Sequence, residues 1–214
     1  RLLCGGRLNV TDQQEVVATG PQCANGAASM LLGPTPRVGP DRRALSCVTD
    51  GLRRDTISKT RASWLCAVEA LVVSARPDLA GQLKEYLGAQ PFADQGVSIA
   101  NPLQGMTIGE IGVVYEALLA LSNRRSRKAR GQYFTPDDVA SFMAQQAATF
   151  QEGRWLDPCC GVGNLSWHLA AAMPSPGDFV REHLALGDID PTALKTAVAL
   201  IVASFAPIGD LTVL

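Results

Sequence analysis

The sequence predicts an α/β fold in which an incomplete parallel sheet follows a helical region. Three observations lead there. From about residue 58 to residue 122 the apolar residues recur at helical spacing, in segments too long for strands. After Gly131, short strand-like runs alternate with helix-like ones. Each of the first two strand-like runs ends in a loop rich in glycine or aspartate, which is where an open α/β sheet places its ligands.

Residues 1–50 show no convincing period and are expected to be poorly structured or a remnant segment; Gly33-Pro34-Thr35-Pro36-Arg37-Val38-Gly39-Pro40 reads as a loop. A helical region is expected over 51–122. Its first helix, 58–74, places Trp64, Leu65, Val68, Leu71 and Val72 on one face. Pro77 suits the first turn of a second helix presenting Leu79, Leu83, Tyr86 and Leu87, with Gly88 as its stop. Residues 91–105 read as a loop, and a third helix over 108–122 turns Ile111, Val114, Tyr115, Leu118 and Leu119 inward. Gly112 weakens that helix by up to ~1 kcal/mol relative to alanine.

The last unit, 123–214, begins with a helix start at Thr135-Pro136-Asp137-Asp138. Threonine can cap, proline fits the first helical position, and the aspartates meet the positive helix end. Val139, Phe142, Met143, Ala147 and Phe150 then form one stripe. A strand over 154–157, a helix over 164–173, a strand over 183–187 and a helix opened by Asp190-Pro191 follow; that last helix points Leu194, Ala197, Val198, Ile201 and Phe205 one way. Leu211-Thr212-Val213-Leu214 begins a third strand. Right-handed crossovers then give a parallel sheet. The first residue is Arg1 and the last strand reads as unfinished, so the chain is expected to be a fragment.

Bulk composition narrows the classes. Of 214 residues 47% are hydrophobic and 18% charged, enough for a sizeable core. A net charge of −1 means that any nucleic-acid contact must come from a local patch. The six cysteines show no repeated CxxC spacing, which argues against zinc and for a reduced, cytoplasmic setting. No apolar run approaches bilayer-spanning length.

The loop Asp157-Pro158-Cys159-Cys160-Gly161-Val162-Gly163-Asn164 departs from the dinucleotide fingerprint, because Ser166 stands where the third glycine belongs and an acid precedes the turn. Gly161 and Gly163 permit a tight turn and close approach of a ligand to backbone. A carboxylate at Asp157 repels pyrophosphate and suits a cationic ligand, such as the sulfonium and ammonium groups of S-adenosylmethionine. The alternative is a plain strand-to-helix turn. Asp188 follows the second strand, 25 positions after Gly163, where an acid can accept from two ribose hydroxyls. Ile189 can pack on an adenine face. Asp190, immediately before Pro191, is assigned the helix cap, which leaves Asp188 for ligand. In Gly131-Gln132-Tyr133-Phe134-Thr135-Pro136 the aromatics supply apolar walls or core, and Thr135 a hydroxyl. His168 and His183 read as surface or packing residues, and no metal ligands are assigned.

Those three segments, in that order, resemble the N6-adenine DNA methyltransferases of bacterial restriction-modification systems, in particular type I modification subunits and related fused type II enzymes. The stretch with Ile108-Gly109-Glu110-Ile111 and Val114-Tyr115-Glu116-Ala117-Leu118-Leu119 is also similar to the helix those proteins carry ahead of the first motif. The resemblance spans roughly 108–214. It implies a Rossmann-like fold that binds S-adenosylmethionine and acts on double-stranded DNA, with specificity and restriction subunits or fused domains as further partners. By that resemblance Gln132, Tyr133, Phe134 and Thr135, with Asp157, Gly161, Val162, Gly163 and Asn164, hold the methionine part. Asp188 takes the ribose and Ile189 touches adenine. Asp210 is the candidate nearest the adenine amino group.

The family's Asn/Asp-Pro-Pro-aromatic motif is absent from these 214 residues; Asn101-Pro102-Leu103 lacks the second proline and the aromatic. No catalytic residue is therefore assigned, and the chain alone is expected to be inactive. Other acceptors (cytosine N4, RNA, protein) and a non-catalytic nucleotide-binding or assembly module remain alternatives. The run Arg124, Arg125, Arg127, Lys128 and Arg130 is either a phosphate-binding patch or a solvated connector. Replacing all five by serine distinguishes these. If the run binds phosphates, the salt dependence of DNA binding flattens by about one unit of log–log slope for each phosphate no longer neutralised; an unchanged slope leaves a connector.

Overall fold

The computed structural model describes residues 31–33, 42–88, 101–122, 135–150 and 153–207. The elements are α1 (Arg42–Leu52), α2 (Ile57–Ala75), a 3-10 turn (Pro77–Leu79) leading into α3 (Ala80–Leu87), α4 (Ile108–Ser122), α5 (Asp137–Ala147), β1 (Trp155–Asp157), α6 (Asn164–Ala172), β2 (Leu184–Leu186) and α7 (Pro191–Phe205). A helical turn and a π-helical turn (Phe179–His183) lead into β2. The described residues are thus mostly helical, with a small parallel sheet in which Trp155, Leu156 and Asp157 register with Leu184, Ala185 and Leu186. The strand expected at 211–214 lies outside the described residues.

The sequence shows no period for 42–52, yet α1 forms there. Its Leu45, Thr49 and Leu52 are buried, and it packs on α4. Spaced four and three apart, they line one side of the helix, and so short a segment depends on that packing for its stability. Helices α2, α3 and α4 start within a residue or two of their expected positions, apart from the 3-10 turn that opens the second. Trp64, Val68, Leu71, Leu79, Leu83, Leu87, Ile111, Val114 and Leu118 are buried as their spacing requires. Their core is continuous with Val162, Leu200, Val202 and Ala206. A second cluster, with Ala144, Leu169, Phe179 and Ile201, lies between α5, α6, α7 and the sheet.

Helix α5 departs from the expected start. It begins at Asp137, Pro136 occupies the N-cap position, and Thr135 makes no capping bond. Asp137 turns instead toward the first turn of α4. The larger side chains of the expected stripe face outward, and only its Ala147 packs partly against the second cluster. Val139, Phe142, Met143 and Phe150 are exposed, and the residues buried on α5 are Ala140 and Ala144. Two alanines allow α5 to approach α6 closely, which moves the larger side chains off the seam.

Polar ties fix the helical region to both ends of α7. Trp64 Nε1 donates to Thr196 Oγ1 (2.8 Å), and Lys195 Nζ donates to the Leu87 carbonyl at the end of α3 (3.1 Å). The buried Arg76 guanidinium caps the C-terminus of α7. It donates to the carbonyls of Ala203 (3.2 Å) and Ala206 (2.9 Å) and pairs with Asp78 (2.8 Å). Cations at a helix C-terminus satisfy carbonyls left without intrahelical donors. Arg76→Ala is therefore expected to cost roughly 3 kcal/mol of unfolding free energy in urea, because it strands buried carbonyls. Lys59→Ala, which breaks only the exposed Lys59–Asp55 pair, is expected to leave the midpoint unchanged.

Candidate functional site

The two loops at the C-terminal ends of β1 and β2 are stitched together beyond the sheet. Gly187 N donates to the Asp157 carbonyl (2.8 Å), Cys160 N donates to the Gly187 carbonyl (3.0 Å), and Gly163 N closes a turn on the Cys160 carbonyl (2.8 Å). Gly161 N then donates to Asp188 Oδ2 (2.8 Å), and Asp190 N to Asp188 Oδ1 (2.8 Å). Each Asp188 oxygen thus accepts one backbone hydrogen bond and retains capacity for another. Asp157 Oδ2 accepts from Ser166 Oγ (2.7 Å), so the residue that replaces the third glycine of a dinucleotide loop here supports the acid ahead of the turn.

Gly163 has a structural reason to be glycine. Its φ is +92°, and a Cβ there would meet Ala197 Cβ at 3.0 Å and Ile201 Cδ1 at 3.1 Å. It admits α7 against the start of α6. Val162 is fully buried in the main core, so its side chain has no surface to offer a ligand. Ile189, at 85% exposure, is the most exposed large apolar residue among those described. Gln132, Tyr133, Phe134 and Asp210 lie outside the described residues.

Thr135 is held from α6. Asn164 Nδ2 donates to the Thr135 carbonyl (2.6 Å), while Asn164 Oδ1 is buried without a hydrogen-bond partner. Asp190 takes the capping role assigned to it, its Oδ1 accepting from Thr192 N (3.0 Å).

The electrostatics of the crevice converge on Cys160. Burial, then the nearby carboxylates of Asp157 and Asp188, push its thiol up to about 12. Both acids therefore project negative potential into the same loop. The thiol stays protonated and buried, a packing group, while Cys159 is exposed. Among the described residues no cluster of histidine, cysteine or acid side chains is arranged to hold a metal. No helix among them is long and apolar enough to cross a membrane.

A second polar cluster lies behind the Thr135 turn. Asp137 Oδ1 accepts from Gly109 N (2.9 Å) and faces His168 Nε2 (3.2 Å), and its Oδ2 accepts from Thr107 Oγ1 (2.5 Å). A Cβ on Gly109 would lie 2.5 Å from this carboxylate. Asn164 and His168 are one turn apart on α6, so one face of α6 grips both Thr135 and Asp137. The sequence offers a faint signal here: His168 falls on the buried side of α6, where an imidazole needs a partner.

Burial alone opposes ionisation of Asp137, but hydrogen bonds from His168 and Thr107, the charge of His168 and the Gly109 amide hold its carboxyl below the usual range. A carboxyl whose folded pKa is depressed contributes stability above its unfolded pKa and loses it as pH falls through the folded one. Asp137→Asn should therefore lower stability at neutral pH. It should also flatten the loss of stability between about pH 5 and pH 3, measured as urea midpoints.

A family model described as N-6 DNA methylase matches residues 107–176. The matched segment runs from the first turn of α4 through Thr135 and the whole 157–164 loop, and stops ahead of Asp188. It bears out the family resemblance read from the motifs. No curated protein and no solved structure matches the chain.

Proposed function

We propose that this chain, residues 107–176 of which match the N-6 DNA methylase family, binds S-adenosylmethionine between the 157–164 and 187–190 loops and serves an adenine-N6 DNA methyltransferase of a restriction-modification system. The observation that carries the cofactor reading is the anchored Asp188 carboxylate. Both its oxygens are pinned by backbone N–H groups, and each keeps a lone-pair site.

The residues present suit that ligand. Asp188 would take the two ribose hydroxyls. Ile189, exposed beside it, offers an apolar face to adenine. Asn164 Oδ1 is an acceptor still wanting a donor, which an ammonium group supplies. Asp157 and Asp188 together make the loop favourable to a cation and hostile to a diphosphate. Bound there, S-adenosylmethionine supplies a methyl group on a positively charged sulfur. The chain's own contribution is to bind and orient that donor, since methyl transfer needs alignment more than proton traffic. A Rossmann-like sheet continuing beyond β1 and β2 is part of the same reading. So are double-stranded DNA as substrate, specificity and restriction subunits or fused domains as partners, and Gln132, Tyr133 and Phe134 as further ligand-binding residues.

Titration calorimetry with S-adenosylhomocysteine tests this. Removing an acceptor that serves two hydroxyls should weaken binding roughly ten- to hundredfold in Asp188→Ala, with the melting temperature followed separately. Unaltered affinity would remove the ribose assignment, and NAD binding tighter than S-adenosylhomocysteine would remove the cofactor reading altogether.

A further inference from the structure

We propose that Tyr115 on α4 and Arg61 on α2 are positioning residues for the cofactor loop, acting through Asp190 on Asp188. The inference rests on the reading of Asp188 as a ribose ligand.

Asp190 is buried, and its two oxygens have separate duties. Oδ1 caps α7 through Thr192 N. Oδ2 has no work within α7. It accepts from Tyr115 Oη at 2.9 Å and from Arg61 Nη2 at 3.0 Å, donors brought from two other helices. The same residue's backbone N–H is one of the two groups that hold Asp188. Gly161 N supplies the other. A continuous path of hydrogen bonds therefore runs from α2 and α4 through Asp190 to Asp188 and into the glycine loop.

The cap alone leaves the Asp190 carboxylate free to turn about the Oδ1 bond. Two further donors on Oδ2 fix the side chain, and with it the direction of the Asp190 N–H. Burial, then the adjacent Asp190 carboxylate, raise the Tyr115 hydroxyl well above the usual phenol range, so it remains a proton donor. Trp64 packs on the Tyr115 ring with centroids 5.0 Å apart. That packing survives in Tyr115→Phe, which removes one hydroxyl and leaves the ring. A ligand-binding carboxylate needs this kind of support, because errors of about half an ångström already cost affinity.

The test is a double-mutant cycle on the full chain, read by S-adenosylhomocysteine calorimetry, with hydrogen exchange of the ligand-free protein alongside. Tyr115→Phe and Arg61→Gln are each expected to weaken binding roughly fivefold. Asp188→Ala should cost less in the Tyr115→Phe background than in the wild type, and the amides of Gly161 and Asp190 should exchange faster in both single variants. Lys59→Ala, an exposed change on α2, is expected to alter neither readout. A purely structural role would lower the melting temperature while leaving affinity unchanged or the cycle additive, and either result overturns the proposal. Should the wild type fail to bind, the functional reading falls, and exchange at Gly161 and Asp190 still decides whether Tyr115 and Arg61 hold the loop.

Discussion

Strands of three residues are too short to hold two loops in register by their ladder alone, so the crevice depends on hydrogen bonds that continue past the sheet. Gly187 N to Asp157 O extends the pairing one residue past β2, and Cys160 N to Gly187 O ties in the loop three residues past β1. Gly161 N onto Asp188 then carries it into a side chain. Two acids are thereby brought beside one loop, where both push the Cys160 thiol up. Backbone amides hold Asp188, and Ser166 holds Asp157. The proposed cationic ligand depends on the negative potential that the two carboxylates give this loop.

The helical segment shares in this arrangement as well as shielding it. Helix α7 carries the second acid loop at its N-terminus and is gripped along its length. Arg61 and Tyr115 hold its capping residue, Trp64 holds Thr196, Lys195 reaches the end of α3, and Arg76 closes its last turn. Several of these are buried polar pairs, and breaking one leaves a desolvated group without a partner. Arg61 on α2 and Tyr115 on α4 thus both bear on Asp190, one residue beyond Ile189. The match to N-6 DNA methylases begins at Thr107, just ahead of Tyr115.

What can be read from the sequence is whatever depends on period and local chemistry. Trp64, Leu71, Ile111 and Leu118 are buried because helical spacing puts them on faces with an apolar partner. Asp190 caps because a proline follows it. The charge of the crevice is legible too, since Asp157 and Asp188 each stand at a strand end. The partners of polar side chains are not legible. Nothing local joins Asp190 to Arg61, 129 residues away, or Asp137 to Gly109, 28 residues away. Those pairings are set by which helices meet. Helix α1 stays hidden because three buried positions in a short segment do not rise above a background of glycine and proline. The role of Gly163 is only half visible: a turn is expected, while its packing against Ala197 needs α7 in place.

The outward-facing stripe of α5 shows why the competing choice won. A seam built on Phe142 and Met143 would bury more apolar area, and by area alone it is the better interface. It would also hold α5 away from α6 by the width of those side chains. Asp137 could not then reach both Gly109 N and His168, and Asn164 could not reach the Thr135 carbonyl at 2.6 Å. Alanine at 140 and 144 and the missing Cβ at Gly109 give up apolar burial for close approach. The gain is a carboxylate at the start of α5 that is shared with the first turn of α4 and with His168 midway along α6, directly behind the turn that presents Thr135. Met143 and the exposed Leu156 instead line an apolar cleft of about 280 Å³ beside β1. The geometry near the crevice is thus set by short polar reach, and apolar surface is left uncovered among the described residues to achieve it.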